Sequence, residues 1–476
     1  MSESDSSQAL TLSAMPIDHE MMSLCFFFTN YVQTTRDPTV SRGYFEYLLP
    51  VYSRVTPSSP LSLATSAVAV NISQMWMHRG PDTLLARSIF QKALTSLKSA
   101  IMDPAQAKTD ETLLTVLLLE FYESVSGRFQ NQDSSATHQS GALALIKHRG
   151  AANFQSEVGK RLLIAVRSQV ITHAVQTRKK IEFDPEIWDD QDEMPINPAI
   201  NLDRLVAELA NLQVQESNTF SRSPTPGTPA SVSSLTSSAP TTTQTLFNAA
   251  LELDTRLSVW PSQVPDSWHP VAVSSPDLVH PSIFEAGVYG DTCDVYYSLH
   301  VTVIYNQYRC ARLAVLKIIL MCCSVMGNEH MGGFKPTIAY ARREIQALAD
   351  EICASAPFYL GNRTKSGMIG DTDGVFYPQM PMIKDEYAAN NPEVFQQALE
   401  IARGRHSRLA AALGGHFLIS TFLAVIRTVQ DPKLTAANQQ PILREGQVRW
   451  IVEQFDRLRV IYNIPKPAKA LPSPER

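Results

Sequence analysis

The chain has 476 residues, of which 44% are hydrophobic and 18% are charged. This composition excludes a wholly disordered protein, because apolar burial can offset the entropy cost of folding. The net charge of −5 at pH 7 argues against autonomous DNA binding, since DNA-binding modules usually present a basic patch to the phosphates.

The cysteines indicate a reducing compartment, either the cytosol or the nucleus. No two of them show the two-residue spacing of a CxxC pair, and most lie in apolar helical patterns, where a thiol behaves as a small hydrophobe. We therefore predict no bound metal and no cofactor. The six cysteines are Cys25, Cys293, Cys310, Cys322, Cys323 and Cys353.

Apolar residues at helical spacing predict an all-α fold. In residues 84–102 they recur every three or four positions, and Asp103-Pro104 ends the pattern. A second helix opens at Asp110, and a third runs from His138 to Arg149, where Gly150 predicts a left-handed cap. No run of β-branched residues alternates with polar ones, so we predict no strands. Further helices are predicted over 158–182, 200–213, 246–258, 335–355, 393–429 and 442–460.

The longest predicted helix carries the most apolar window, Cys310–Met326. Arg312 and Lys317 within this window make a buried helix a better interpretation than a membrane span. A seam of period 3.5 indicates packing along the whole helix, with Asn306 and Lys317 on the opposite side. The seam consists of Tyr297, Val301, Ile304, Tyr308, Ala311, Val315, Ile318 and Cys322.

A Ser/Thr/Pro-rich segment interrupts the helical patterns. Residues 217–245 contain one charged residue, Arg222, and almost no large apolar side chains, so they cannot support a packed core. We predict a disordered linker, with boundaries set at 214–245, between two packed helical halves. The halves are residues 16–213 and 246–465, and the tails are residues 1–15 and 466–476.

Nine short phrases, in order across residues 20–460, resemble the fungal-specific transcription factor domain, the large helical regulatory region of fungal zinc-cluster transcription factors. The resemblance implies a transcription regulator in the nucleus, with the cytoplasm as an alternative, and such genes often control biosynthetic pathways, including secondary-metabolite clusters. The implied partners are other regulators, a second copy in a homodimer, or a small-molecule effector; no membrane partner is expected. The phrases are Phe26–Tyr31, Gly43–Pro50, Pro60–Val70, Thr109–Tyr122, His138–Gly150, Trp260–Trp268, Tyr305–Arg312, Glu351–Gly361 and Gly414–Leu418.

The chain departs from the family pattern at its start. Family members usually begin with six cysteines that hold two zinc ions, whereas the upstream part of this chain has only Cys25. Thiolates at ligand spacing are required for such a cluster, so we expect this chain not to bind DNA directly. A DNA-binding zinc-cluster factor whose first exon is missing stays open as an alternative.

Catalytic motifs are weak. Asp189–Glu193 resembles the aspartate-rich motif of helical terpene cyclases, but flanking prolines favour an acidic loop and no second metal motif follows. Asp371–Gly374 resembles the start of a calcium loop, but Met382 occupies the position where an EF-hand needs glutamate. We predict that the protein is not an enzyme; a helical enzyme on the same scaffold remains the alternative from another class.

The candidate site consists of Tyr305, Tyr308, Arg309 and Arg312 on the long helix. Two arginines on an apolar helix need partners if they are buried. One interpretation is an internal ion pair with an acidic helix. The other is a pocket that captures an anionic small molecule, walled by the two tyrosines.

The composition of residues 217–245 generates a first prediction. Limited proteolysis of the native protein should cut first within this segment, because it lacks the apolar side chains that protect a backbone by packing. Mass spectrometry of the early fragments identifies the cuts. Early cleavage in the flanking helices, with this segment intact, would contradict the division of the chain.

Overall fold

The computed structural model is almost wholly helical among the residues it describes, so the predicted all-α fold class is confirmed. The predicted tails and the acidic run Asp189–Glu193 lie outside these residues. The described residues are 18–32, 40, 43–77, 82–130, 136–181, 197–220, 238–327, 333–367, 369, 373–381, 390–431, 434 and 441–464.

The helices before the predicted linker are α1 (His19–Asn30), α2 (Phe45–Tyr52), α3 (Pro60–Trp76), α4 (Leu84–Met102), α5 (Asp110–Gln130), α6 (Ala136–Arg149), α7 (Glu157–Thr177) and α8 (Pro198–Phe220). Those after it are α9 (Ser238–Val259), α10 (Pro281–Gly287), α11 (Leu299–Gly327), α12 (Lys335–Leu360), α13 (Pro392–Leu409), α14 (Gly415–Val429) and α15 (Gln447–Ile461). Short 3₁₀ turns occupy Gln106–Lys108, Ala151–Asn153, Trp260–Gln263 and Asp266–Trp268.

Hydroxyl side chains fix where several helices begin. Ser59, Thr83 and Ser156 precede α3, α4 and α7, and each side chain accepts a hydrogen bond from a backbone N–H in the first turn. Such caps satisfy donors that a helix start leaves unpaired. At the other end of α6, Gly150 has the predicted left-handed conformation, with φ of 74°.

The described residues form two hydrophobic cores that share α7. The N-terminal core is built mainly from residues between Phe27 and Val166, and the C-terminal core mainly from residues between Ile171 and Ile461. Val170 packs against both cores. One continuous helix therefore belongs to both parts of the protein.

The boundary between the cores differs from the predicted linker. Most of helix α8 lies before residue 214, yet its apolar face belongs to the C-terminal core with α9 and α11. The helices also extend into the predicted linker, since α8 ends at Phe220 and α9 begins at Ser238. Composition marks where a chain can leave a core, but packing decides which core a helix joins.

The prediction that strands are absent is wrong at one place. Strands β1 (Val271–Val273) and β2 (Cys293–Val295) form an antiparallel pair with Val271 opposite Val295. Each strand has only three residues, which is too short for an alternating pattern to be recognised. The pair places Asp294 and Tyr296 beside α11.

Helix α11 is the centre of the C-terminal core. It is long and apolar enough to cross a membrane, but 72% of its most apolar window is buried inside the protein. Asn306 and Lys317, placed on the side opposite the seam, are buried as well. Tyr297, assigned to the seam, lies before the helix and is exposed.

A π-helical segment, Ala410–Gly414, joins α13 to α14 where the two cores meet. Ala411 and Ala412 belong to the N-terminal core, and Ala410 belongs to the C-terminal core. Tyr462 packs against both cores; its hydroxyl donates to the Ala410 carbonyl (3.0 Å) and accepts from the Gly415 N–H (2.9 Å). The ring lies so close to Gly415 that a Cβ there would be 2.1 Å from Cε2 of Tyr462.

This close approach generates a second prediction. G415A should lower the free energy of unfolding by about 1–3 kcal/mol, because the added methyl group displaces the Tyr462 ring from both cores. Urea denaturation followed by circular dichroism measures the change. The matched control is G404A in α13, where the nearest atom to an added Cβ is a flexible arginine nitrogen at 3.9 Å. The control should be neutral or stabilising by up to about 1 kcal/mol, and an equal result for both variants would contradict tight packing at this junction.

Candidate functional site

The four predicted site residues lie on α11 and are all buried; Arg309 is only 1% exposed. Because the helix is apolar on all sides, each cation requires partners from neighbouring elements. The structure gives the two arginines separate sets of partners.

Arg309 is held by groups from β2, α11 and α12. Its Nε donates to Oε2 of Glu351 at 2.9 Å, and its Nη1 donates to the Tyr296 hydroxyl and to Oδ1 of Asn306, both at 2.8 Å. Nη2 lies 4.0 Å from Oδ2 of Asp294. The planar guanidinium group can donate to all of these acceptors at once. The ammonium group of a lysine could not make the same set of hydrogen bonds.

Burial and charge act in opposite directions on this cluster. Burial lowers the pKa of Arg309, but Tyr296 and Glu351 outweigh burial and raise it, so the guanidinium stays charged. For Asp294, burial raises the pKa and the charge of Arg309 opposes the rise. Each group is therefore costly to bury without the other.

Arg312 faces α9 and the start of α12. Its Nε donates to Oδ1 of Asp254 at 3.0 Å, and its Nη2 lies 3.0 Å from Oε2 of Glu344. The Tyr340 hydroxyl accepts from Nη2 of Arg312 at 2.9 Å and donates to Oδ2 of Asp254 at 2.7 Å. This closed triangle ties three helices together.

The two tyrosines pack against one indole. Trp260 stacks on Tyr308, with ring centroids 5.2 Å apart, and meets Tyr305 edge to face at 5.4 Å. The Tyr308 hydroxyl accepts from Nη1 of Arg312 at 3.4 Å. The Tyr305 hydroxyl forms a hydrogen bond with Nδ1 of His269 at 3.2 Å.

The sequence analysis treated the two arginines as one cluster. In the structure each arginine has its own carboxylate partners. Sequence reasoning missed the acceptors from α9 and β2, Asp254 and Asp294. Glu344 and Glu351 could have been named from the sequence as candidate partners, since both are acidic residues of the predicted helix 335–355. Asp254 lies on another predicted helix, but no pattern could pair it with residue 312.

The other candidate motifs contribute no site among the described residues. Asp373 and Gly374 form an exposed turn, while Asp371 and Thr372 lie outside the described residues. Within the described part of the chain, no group of three or more His, Cys, Asp or Glu residues could hold a metal ion.

The Arg309 network generates a third prediction. R309A should lower the free energy of unfolding by about 3–5 kcal/mol, because Asp294 and the Tyr296 hydroxyl stay buried without their partner. Guanidinium denaturation measures this loss. R343A is the control: Arg343 is 72% exposed beside Glu344, so the change should stay within about 0.5 kcal/mol.

Equal stability of the two variants would contradict a structural role for Arg309. A different result would favour the interpretation in which Arg309 binds an anionic small molecule. In that case R309A would be stable, but its melting temperature would no longer rise with a ligand that stabilises the wild type.

Comparison with known proteins agrees with the resemblance drawn from the sequence. Residues 22–257 match the family described as fungal specific transcription factor domain. The chain is also 25% identical, over 347 residues, to transcription factor dbaG of Emericella nidulans, which covers 72% of this chain and 74% of that protein. No solved structure matches the chain. Over residues 22–257 the chain thus matches the fungal specific transcription factor domain family, and both comparisons indicate a transcription regulator.

Proposed function

We propose that this protein regulates transcription in the nucleus, acting through other regulatory proteins, a second copy of itself or a small effector. Its targets, in this proposal, include genes of a biosynthetic pathway such as those of secondary metabolism. The observation that carries the proposal is the family match over residues 22–257. The similarity to a protein named as a transcription factor supports it.

The chemistry of the buried nucleophiles and bases favours regulation over catalysis. Burial raises the pKa of Cys293, Cys310 and Cys353 to about 12, so these thiols stay protonated and unreactive at neutral pH. Burial lowers the pKa of His300 and His406 to about 4, which keeps both rings neutral but far from the pKa that suits a general base. These groups act as packing residues.

The shared helix α7 and the π-helical segment support regulation through one connected body. A partner that binds the N-terminal core would contact a unit that shares α7, Ala411 and Ala412 with the C-terminal half. Binding energy at one core can then bias the packing of the other. Direct contact with DNA is not part of the proposal, because the net charge is −5.

A reporter experiment tests this function. The full chain, fused to a heterologous DNA-binding module, should change expression of a reporter gene several-fold relative to the module alone in a filamentous fungus. The destabilised variant R309A should lose this effect, whereas R343A should retain it.

Deletion of the gene supplies an independent measurement. Transcript profiling should then show coordinated changes in a set of biosynthetic genes. An inert fusion together with an unchanged transcript profile would overturn the proposed function.

A further inference from the structure

Two other arginines, Arg363 and Arg457, lie in the C-terminal half without a carboxylate partner in the described part of the chain. Arg363 follows the end of α12 and is 9% exposed, and Arg457 is a half-buried residue of α15. This environment differs from that of Arg309 and Arg312, each of which has a carboxylate oxygen at about 3 Å.

In the described part of the chain, Arg457 donates its hydrogen bonds to neutral groups. Its Nε donates to the Arg363 carbonyl and its Nη2 to the Gly361 carbonyl, both at 2.7 Å, while Nη1 donates to Oε1 of Gln454 at 2.9 Å. A guanidinium carries five N–H donors, so these bonds fix its orientation without using all of them. Burial lowers the pKa of Arg457 to about 10, with only tyrosines acting in the other direction.

Arg363 is even less satisfied. Its Nη2 makes one long contact, 3.5 Å, with the Gly367 carbonyl. Beside it lies the buried Tyr377 hydroxyl, which interacts with the Arg363 side chain and has no acceptor for its own O–H among the described residues. Burial raises the pKa of Tyr377, and the nearby charges of Arg363 and Arg457 oppose the rise.

A buried cation without a carboxylate partner is costly, and a buried phenol whose O–H has no acceptor adds to that cost. Both costs disappear when an oxyanion binds between these groups, because carboxylates and phosphates accept from guanidinium forks and from phenol O–H groups. We propose that Arg363, Arg457 and Tyr377 form a binding site for the carboxylate or phosphate group of a small anionic molecule.

The proposed site lies near Tyr462, so anion binding there can affect the packing of both cores. Burial raises the pKa of Tyr462, and the charges of Arg363 and Arg457 act against that rise, which places Tyr462 within their field. Tyr462 is the residue that packs against both cores and bonds to the π-helical segment. The idea that the bound anion is an effector rests on the proposed regulatory function. The binding of an anion at this site does not depend on that function.

Thermal shift and titration calorimetry on the full chain test the site. Citrate and inorganic phosphate are the probes, each compared with sodium chloride at equal ionic strength. We expect a saturable rise in melting temperature with at least one probe and no such rise with chloride. Citrate alone, phosphate alone, or both would identify the accepted group, and a lack of saturable binding for both would overturn the proposal.

R363Q and Y377F should weaken binding of the active probe at least about tenfold, because each removes a donor to a charged acceptor. R449Q is the matched control, since Arg449 is an exposed residue of the same helix as Arg457. It should leave the affinity unchanged. Unchanged affinity in both R363Q and Y377F, or equal weakening in R449Q, would overturn the site.

The stability of the free variants separates a ligand site from a structural one. Free R363Q should melt at or above the wild-type temperature, because it removes a buried charge that has no carboxylate partner among the described residues. A drop as large as that of R309A would show that Arg363 is structural and overturn the proposal. Anion binding together with an inert reporter fusion and an unchanged transcript profile would leave this site intact and refute only the proposed regulatory function.

Discussion

The C-terminal half depends on the neutralisation of cations within one buried helix. Helix α11 carries Arg309, Arg312 and Lys317 into the core, where an uncompensated charge would be strongly destabilising. Lys317 meets Asp431 at 2.6 Å, and the two arginines meet carboxylates from α9 and α12 and a phenol next to β2. These contacts fix the arrangement of neighbouring elements around α11, because a guanidinium donates its hydrogen bonds within its own plane.

The two cores are connected by shared elements rather than by a simple docking surface. Helix α7 supplies residues to both cores, and so does the π-helical segment, which lies in the C-terminal half of the chain. π-helical segments are uncommon and often occur at functional places. Here the segment, Gly415 and Tyr462 form a tight contact where a small displacement would affect both cores.

Two classes of arginine follow from this structure. Arg309 and Arg312 are compensated by carboxylates, which suits a structural role. Arg363 and Arg457 lie against neutral carbonyls and a tyrosine, which suits the proposed binding site for an external anion. The two pairs of arginines therefore differ in the partners that neighbouring elements bring to them.

The sequence by itself determined the fold class and most helix positions, because helical periodicity and capping residues are local. The helix predicted over 84–102 is α4, and the resemblance carried by short phrases agrees with the family match. The sequence also drew attention to Arg309 and Arg312, since charges within an apolar helix stand out. Only the tertiary structure decided their partners, the membership of α8 in the C-terminal core, the short β-pair and the neutral surroundings of Arg363 and Arg457 in the described part of the chain. Contacts between residues as far apart as Asp254 and Arg312, or Arg363 and Arg457, depend on how helices pack, and no local pattern records that packing.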